Sequence, residues 1–187
     1  MAILFSSLSA ECLGRLLDIP RQTVDETLQD LGAILDIPDS PRDPLRLHHP
    51  SFRDFILDEG RCDDPSFWVD KRQMHRKMMT RCLNVMHVLK RDNCCVSSPG
   101  TLVGDLPHSR VEECLPPEVQ YACSYWVSHL QKSGDQVYDE GDVHKFLQTH
   151  LLHWFEALSW MGKVSEGILA IIDLESIGLV GLPKLHT

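Results

Sequence analysis

Residues 45–57, LRLHHPSFRDFIL, constrain the fold of this chain more than any other stretch. Leu45 and Leu47 alternate as in a short strand. Pro50 ends that strand, because proline has no N–H to give to a ladder. Ser51 stands at a helix N-cap position, and Phe52, Phe55, Ile56 and Leu57 follow at helical spacing. The piece therefore reads strand, tight corner, helix, with the adjacent His48 and His49 at the corner.

What precedes the corner fits it. Ser9 is placed to cap a helix over Ala10–Leu17, with Cys12, Leu13, Leu16 and Leu17 on one face. Pro20 breaks it, since a residue before proline avoids the helical region. A second helix is expected from Thr23 to about Ala33, buried along Val24, Leu28 and Leu31 and wet along Asp25, Glu26 and Asp30. Residues 33–37 (AILDI) read as a strand. Residues 38–44 hold three prolines, Pro38, Pro41 and Pro44, and read as the turn before the returning strand at 45–48. Helix, turn, helix, strand, loop, strand is the order of a winged-helix module, here residues 1–60. Its second helix would be the one that reads DNA. That helix carries three acids and no base, which repels phosphate, so a protein-packing role is expected.

A polar loop at 58–65 opens a second, helical unit at 61–180. One long helix is expected from Ser66 to about Lys90, with Met74, Met78, Cys82, Leu83, Met86 and Leu89 on its apolar face. The methionines Met74, Met78, Met79 and Met86 are read as core rather than as an adaptable groove. Residues 92–115 show little periodicity and are expected to be a surface excursion. Pro116 and Pro117 open a helix to about Lys132, striped by Val119, Ala122, Trp126, Val127 and Leu130. Asp142 is placed to cap a helix over 143–161, which Gly162 ends, and a last helix is expected over 164–177. Residues 181–187 read as a tail. The fold class is mainly α: a winged-helix module of helices plus a small β-hairpin, followed by an antiparallel α-helical domain.

A net charge of −9 disfavours nucleic acid and anionic membrane surfaces as partners. No apolar run approaches the roughly 20 residues of a membrane span. Seven scattered cysteines, with no CxxC pair and no secretion signal, point to reduced thiols in a cytoplasmic setting and to no structural zinc site.

The search for chemistry is mostly negative. GxxxxGK[ST], GxGxxG and GxSxG are all missing, so no catalytic residue is assigned and no nucleotide site is complete. His150, His153 and Glu156 share a helical face but do not match HExxH; packing or surface roles are expected, and no metal. Nothing beside Cys94 and Cys95 in sequence lowers a thiol pKa. His48 and His49 differ. An imidazole at a strand-to-helix corner can donate to a phosphate oxygen, and the start of a helix favours anions. The alternative at that corner is a histidine satisfied by backbone.

RLHHPSFRDFIL resembles the end of the winged-helix domain in STAND NTPases of the NACHT and NB-ARC type. The phrases IPRQTVDETLQDLGAILDIP, FWVDKRQMHRKM, RVEECLPPEVQYACSYWVSHLQKSG and FLQTHLLHWFEALSWMGKVSEGI resemble the block that follows the NACHT module in fungal vegetative (heterokaryon) incompatibility proteins. Together they run from about Leu4 to Ile177. The resemblance implies a non-enzymatic regulatory arm that couples nucleotide state to sensor repeats, often WD40 repeats. ADP or ATP would be held by an upstream NACHT core, the parent protein would oligomerise on activation, and this chain alone would bind no cofactor. In NB-ARC relatives a histidine in a Met-His-Asp-like motif touches the ADP phosphate. Matching Asp54, Phe55 and Ile56 to the family's acidic-aromatic-aliphatic ending puts that role on His49, with His48 as the alternative register. Pro50 then stands where the family has aspartate. Two other readings remain: an acidic adaptor that binds partner proteins through its helical half, and a winged-helix DNA-binding regulator.

Overall fold

The computed structural model describes residues 1–62, 64, 67–96, 101, 104 and 106–178. Among them are eight helices and one two-stranded antiparallel sheet: α1 (Ala10–Leu17), α2 (Arg21–Asp30), β1 (Leu35–Asp36), β2 (Arg46–Leu47), α3 (Pro50–Ile56), α4 (Lys71–Met86), α5 (His108–Cys114), α6 (Pro117–Ser133), α7 (Asp142–Trp160) and α8 (Val164–Gly178). The protein is mainly helical. Among the described residues no helix is long and apolar enough to cross a membrane.

α1 begins where a hydroxyl can satisfy an orphan amide: Ser9 Oγ accepts from Cys12 N at 3.2 Å. It ends as Asp18 turns left-handed (φ 57°), which lets the Ile19 amide reach Gly14 O at 2.9 Å. Gly14 is needed there, because a Cβ would sit 3.3 Å from Ile19 O and 3.4 Å from Val24 of α2. α2 starts at Arg21, two residues earlier than its pattern suggests, because Pro20 fits the position just before a helix. It stops at Asp30, short of Gly32. Its stripe of Val24, Leu28 and Leu31 is only half-buried.

The strands are shorter than expected. β1 and β2 pair through Leu35 with Leu47 and Asp36 with Arg46, and His48 N adds a bond to Ile34 O at 3.0 Å. The prolines between them supply no N–H, so the ladder cannot lengthen. The returning strand is instead held by α1's leading residues, with Leu45 N donating to Leu8 O at 3.0 Å and Leu45 almost fully buried.

Further boundaries differ from the sequence reading. The cap of α3 is His49, not Ser51: Pro50 occupies the first helical position, where its missing N–H costs nothing, so the cap moves back one residue. α4 begins at Lys71, capped by Asp70 Oδ1, which accepts from Arg72 N (2.8 Å) and Gln73 N (3.1 Å). It ends at Met86 rather than near Lys90. The expected start at Ser66 and most of the boundary loop's end lie outside the described residues. The stretch read as irregular contains α5, whose seven residues are too few to show a period. α7 is capped by Gly141, and Asp142 is its first residue, where its charge suits the helix dipole. The turn at 97–100 and the tail at 181–187 also lie outside the described residues.

The helical half is built on α6. α4 runs antiparallel to it, since His75 meets His129 and Arg76 meets Asp135 at its far end. α7 lies antiparallel on another side, where Trp126 packs edge-to-face with Trp154 (5.3 Å) and Phe146 (5.5 Å). The Trp154 indole donates to Cys123 O at 2.9 Å, which satisfies its buried Nε1–H, whereas Trp126 Nε1 has no partner among the described residues. α7 turns into α8 at Gly162 (φ 68°), and Gly167 lets α8 approach Leu158 and Phe155 of α7 closely. One apolar cluster holds Leu8, Cys12 and Leu16 together with Met78, Cys82, Met86, Trp126, Phe146, Trp154 and Leu174, so α1 is packed into the bundle.

Candidate functional site

The strand-to-helix corner separates the two histidines. His48 turns its ring back to the end of α2, with Nε2 3.4 Å from Gly32 O. Gly32 O can only accept, so His48 Nε2 is the donor there. His49 has extended backbone (φ −142°, ψ 135°) and caps α3. Its Nδ1 accepts the Ser51 amide at 3.1 Å and lies 2.6 Å from Ser51 Oγ. A neutral ring with Nδ1 used as an acceptor carries its proton on Nε2. His49 is exposed and Nε2 has no partner among the described residues, so the corner offers one imidazole N–H to solvent. The seven-residue α3 adds little dipole of its own. Backbone capping and an outward donor are thus both present on one ring, because its two nitrogens do different jobs.

The histidine–glutamate face of α7 does not converge on a point. His150 faces His87 through Nε2 and His153 through Nδ1, both at 3.4 Å, so its two nitrogens look in different directions. Glu156 receives the amides of Asp92 (3.0 Å) and Asn93 (2.7 Å) and so ties the turn after α4 to α7. Burial, and then the neighbouring His87 and His153, hold the His150 pKa below the usual imidazole range. Cys94 is buried, and its thiol is pushed up to about 12 by burial and then by Cys114 beside it. Cys95 next to it is exposed.

Sequence reasoning missed a buried polar chain between α4 and α6. Phe5 N donates to Tyr121 Oη (3.3 Å), Tyr121 Oη lies 2.9 Å from His129 Nε2, and His129 Nδ1 lies 2.8 Å from His75 Nδ1. The proton positions follow from counting donors. Tyr121 accepts from Phe5 N, and among the described residues its hydroxyl proton has no acceptor in reach other than His129 Nε2, so it goes there. His129 then carries its proton on Nδ1 and gives it to His75 Nδ1. A neutral His75 therefore presents N–H at Nε2. His129 is fully buried, and burial, followed by the proximity of His75, drives its pKa down to about 3. His75 is lowered too, by burial first, then by the charges of Lys132 and Arg53. The signal was available: His75 lies three residues before Met78, and His129 three after Trp126, each on its helix's buried stripe.

Comparison with known proteins gives one relationship. An alignment of 107 residues is 41% identical to the vegetative incompatibility protein HET-E-1 of Podospora anserina. Half of this chain is similar to part of that protein. The match spans 52% of this chain but only 8% of HET-E-1, so most of the relative has no counterpart here. No protein-family model and no solved structure matches the chain.

Proposed function

We propose that this chain is the regulatory arm of a NACHT-type STAND NTPase in fungal incompatibility signalling. The observation that carries the reading is the 41% identity to HET-E-1 over 107 residues. On this reading α1, α2, the β1–β2 hairpin and α3 are a winged helix, and α4–α8 are the helical segment that links it to sensor repeats of WD40 type. Catalysis belongs to a NACHT core elsewhere in the parent protein, and this chain contributes no catalytic residue. The parent works in the cytoplasm and oligomerises when activated.

His49 is the nucleotide-sensing residue in this scheme, in preference to His48. Its Nδ1 is held by Ser51, which fixes the ring, and its Nε2–H is left to donate to a phosphate oxygen of ADP. His48 is tied to Gly32 instead. Because Pro50 replaces the family's aspartate, the ring is oriented by Ser51 rather than by a carboxylate. ADP stabilises the closed arrangement only through contacts missing from the open one, and this hydrogen bond is such a contact. The test is association of this chain with the separately expressed NACHT core, with and without ADP. ADP-dependent binding supports the reading; no association in either state overturns it.

A second reading has its own support. Ile168, Leu169 and Ile172 form an exposed apolar row on α8, each more than half exposed. Such a row suits an adaptor that binds a protein partner through its helical half with no nucleotide involved. That reading predicts association that is insensitive to ADP and lost on placing Asp at Ile172.

A further inference from the structure

A cleft of about 620 Å³ opens where α3 meets α4 and α6, and its lining does not include His48 or His49. Its lining includes Arg53 from α3, Lys71 at the start of α4, Lys132 near the end of α6, and His75. None of the three basic side chains forms an ion pair among the described residues. His75 is 91% buried (9% exposed), and its second ring nitrogen, Nε2, makes no hydrogen bond among the described residues. The buried chain from Phe5 through Tyr121 and His129 puts a proton on that nitrogen. The cleft therefore has a donor at His75 with nothing to receive it.

Carboxylates line the cleft as well: Asp54, Asp58 and Glu59, all from α3 or the turn after it. They come from the same segment as Arg53, and Asp58 is turned to its own loop, accepting from Gly60 N at 2.9 Å. Burial first, and then the charges of Lys132 and Arg53, hold the His75 pKa below the usual imidazole range, so the ring faces the cleft as a neutral group beside basic side chains.

We propose that the part of this cleft around His75 binds a small phosphate-bearing anion. Arg53, Lys71 and Lys132 supply charge, and His75 donates through Nε2–H. Each fits a phosphate oxygen: guanidinium as a planar fork, ammonium as a mobile point charge, and imidazole as one directed donor. The ligand bridges α3 to the α4–α6 pair, so its occupancy stiffens the corner against the bundle.

The test titrates the full chain with inorganic pyrophosphate and, in parallel, with ADP, at ionic strength matched with sodium chloride. Binding is read calorimetrically and from the His75 Nε2 signal in ¹⁵N NMR spectra. Saturable pyrophosphate binding that moves that signal is expected, and the double variant K71Q/K132Q should weaken it at least tenfold. Both lysines are exposed, so the variant keeps its fold. ADP that binds no tighter than pyrophosphate identifies a site for phosphate itself; tighter ADP binding identifies a nucleotide. Either supports the proposal. It is overturned if pyrophosphate does not bind, if K71Q/K132Q binds it equally well, or if the His75 signal stays still at saturation.

Discussion

His129 makes this protein acid-sensitive in a way that can be worked out in advance. In the folded state its pKa is about 3, against an ordinary value of 6.5 in the unfolded chain. Between those values the unfolded state takes up a proton that the folded state refuses. Unfolded chains then bind more protons, so stability rises with pH across this window and falls as pH drops. Above 6.5 both states are neutral at this site and nothing is lost. Each pH unit below it removes about 1.4 kcal/mol, so roughly 2 kcal/mol is gone at pH 5 from this one ring. His75, the neighbouring ring on α4, is lowered as well and adds to the loss in the same direction. Tyr121 faces His129 from within α6 and stays neutral throughout, its pKa raised by burial first. Urea unfolding at pH 7.5 and pH 5.0 measures the loss, and H129Q, which cannot titrate, should recover about 2 kcal/mol of the difference between the two pH values. If H129Q shows the same pH dependence as the wild type, the ring is not buried neutral and the reasoning fails.

Two further consequences concern packing and reactivity. G167A should destabilise the protein by about 1–2 kcal/mol in urea titrations: a Cβ would meet Leu158 Cδ1 at 2.5 Å in the buried α7–α8 seam, and the cost of overpacking exceeds the ~1 kcal/mol that Ala gains over Gly in a helix; an unchanged or raised midpoint would mean that Leu158 moves freely. Under native conditions a thiol-alkylating reagent should label Cys95 and spare Cys82, Cys94 and Cys123 until the chain unfolds, because the last three are buried and their thiols are held protonated; mass spectrometry showing early labelling of Cys82 would contradict the packing described for α4 against α6.

The parts of the fold that could be read from sequence were those where many residues repeat one message. α6 announces itself through Val119, Ala122, Trp126 and Leu130, and α7 through Phe146, Trp154 and Leu158, all of which lie in the core. The two strands were readable in place but not in length, because the prolines that mark the turn also deny the ladder its donors. α5 stayed hidden because seven residues with a single buried apolar member, Val111, make no period. At the corner, pattern reading placed the strand-to-helix turn and gave the cap to the wrong residue. Serine is the commoner cap, but Pro50 fixed the helix start one residue earlier and His49 took the task. The His75–His129 pair was harder still. A histidine on an apolar stripe shows only that polarity is buried; its partner 54 residues away becomes visible only when α4 and α6 are laid together.

The central claim is that His49 holds a nucleotide phosphate in a larger protein. The most direct measurement is the dissociation rate of ADP from a parent protein containing a NACHT core, compared between wild type, H49A and H49S. Serine can still cap α3, so H49S removes the imidazole donor while preserving the corner. A hydrogen bond to a charged oxygen is worth about 1.5–3 kcal/mol, so both variants should release ADP roughly tenfold to a hundredfold faster. Equal rates in all three proteins would contradict the account and leave His49 as a helix cap alone.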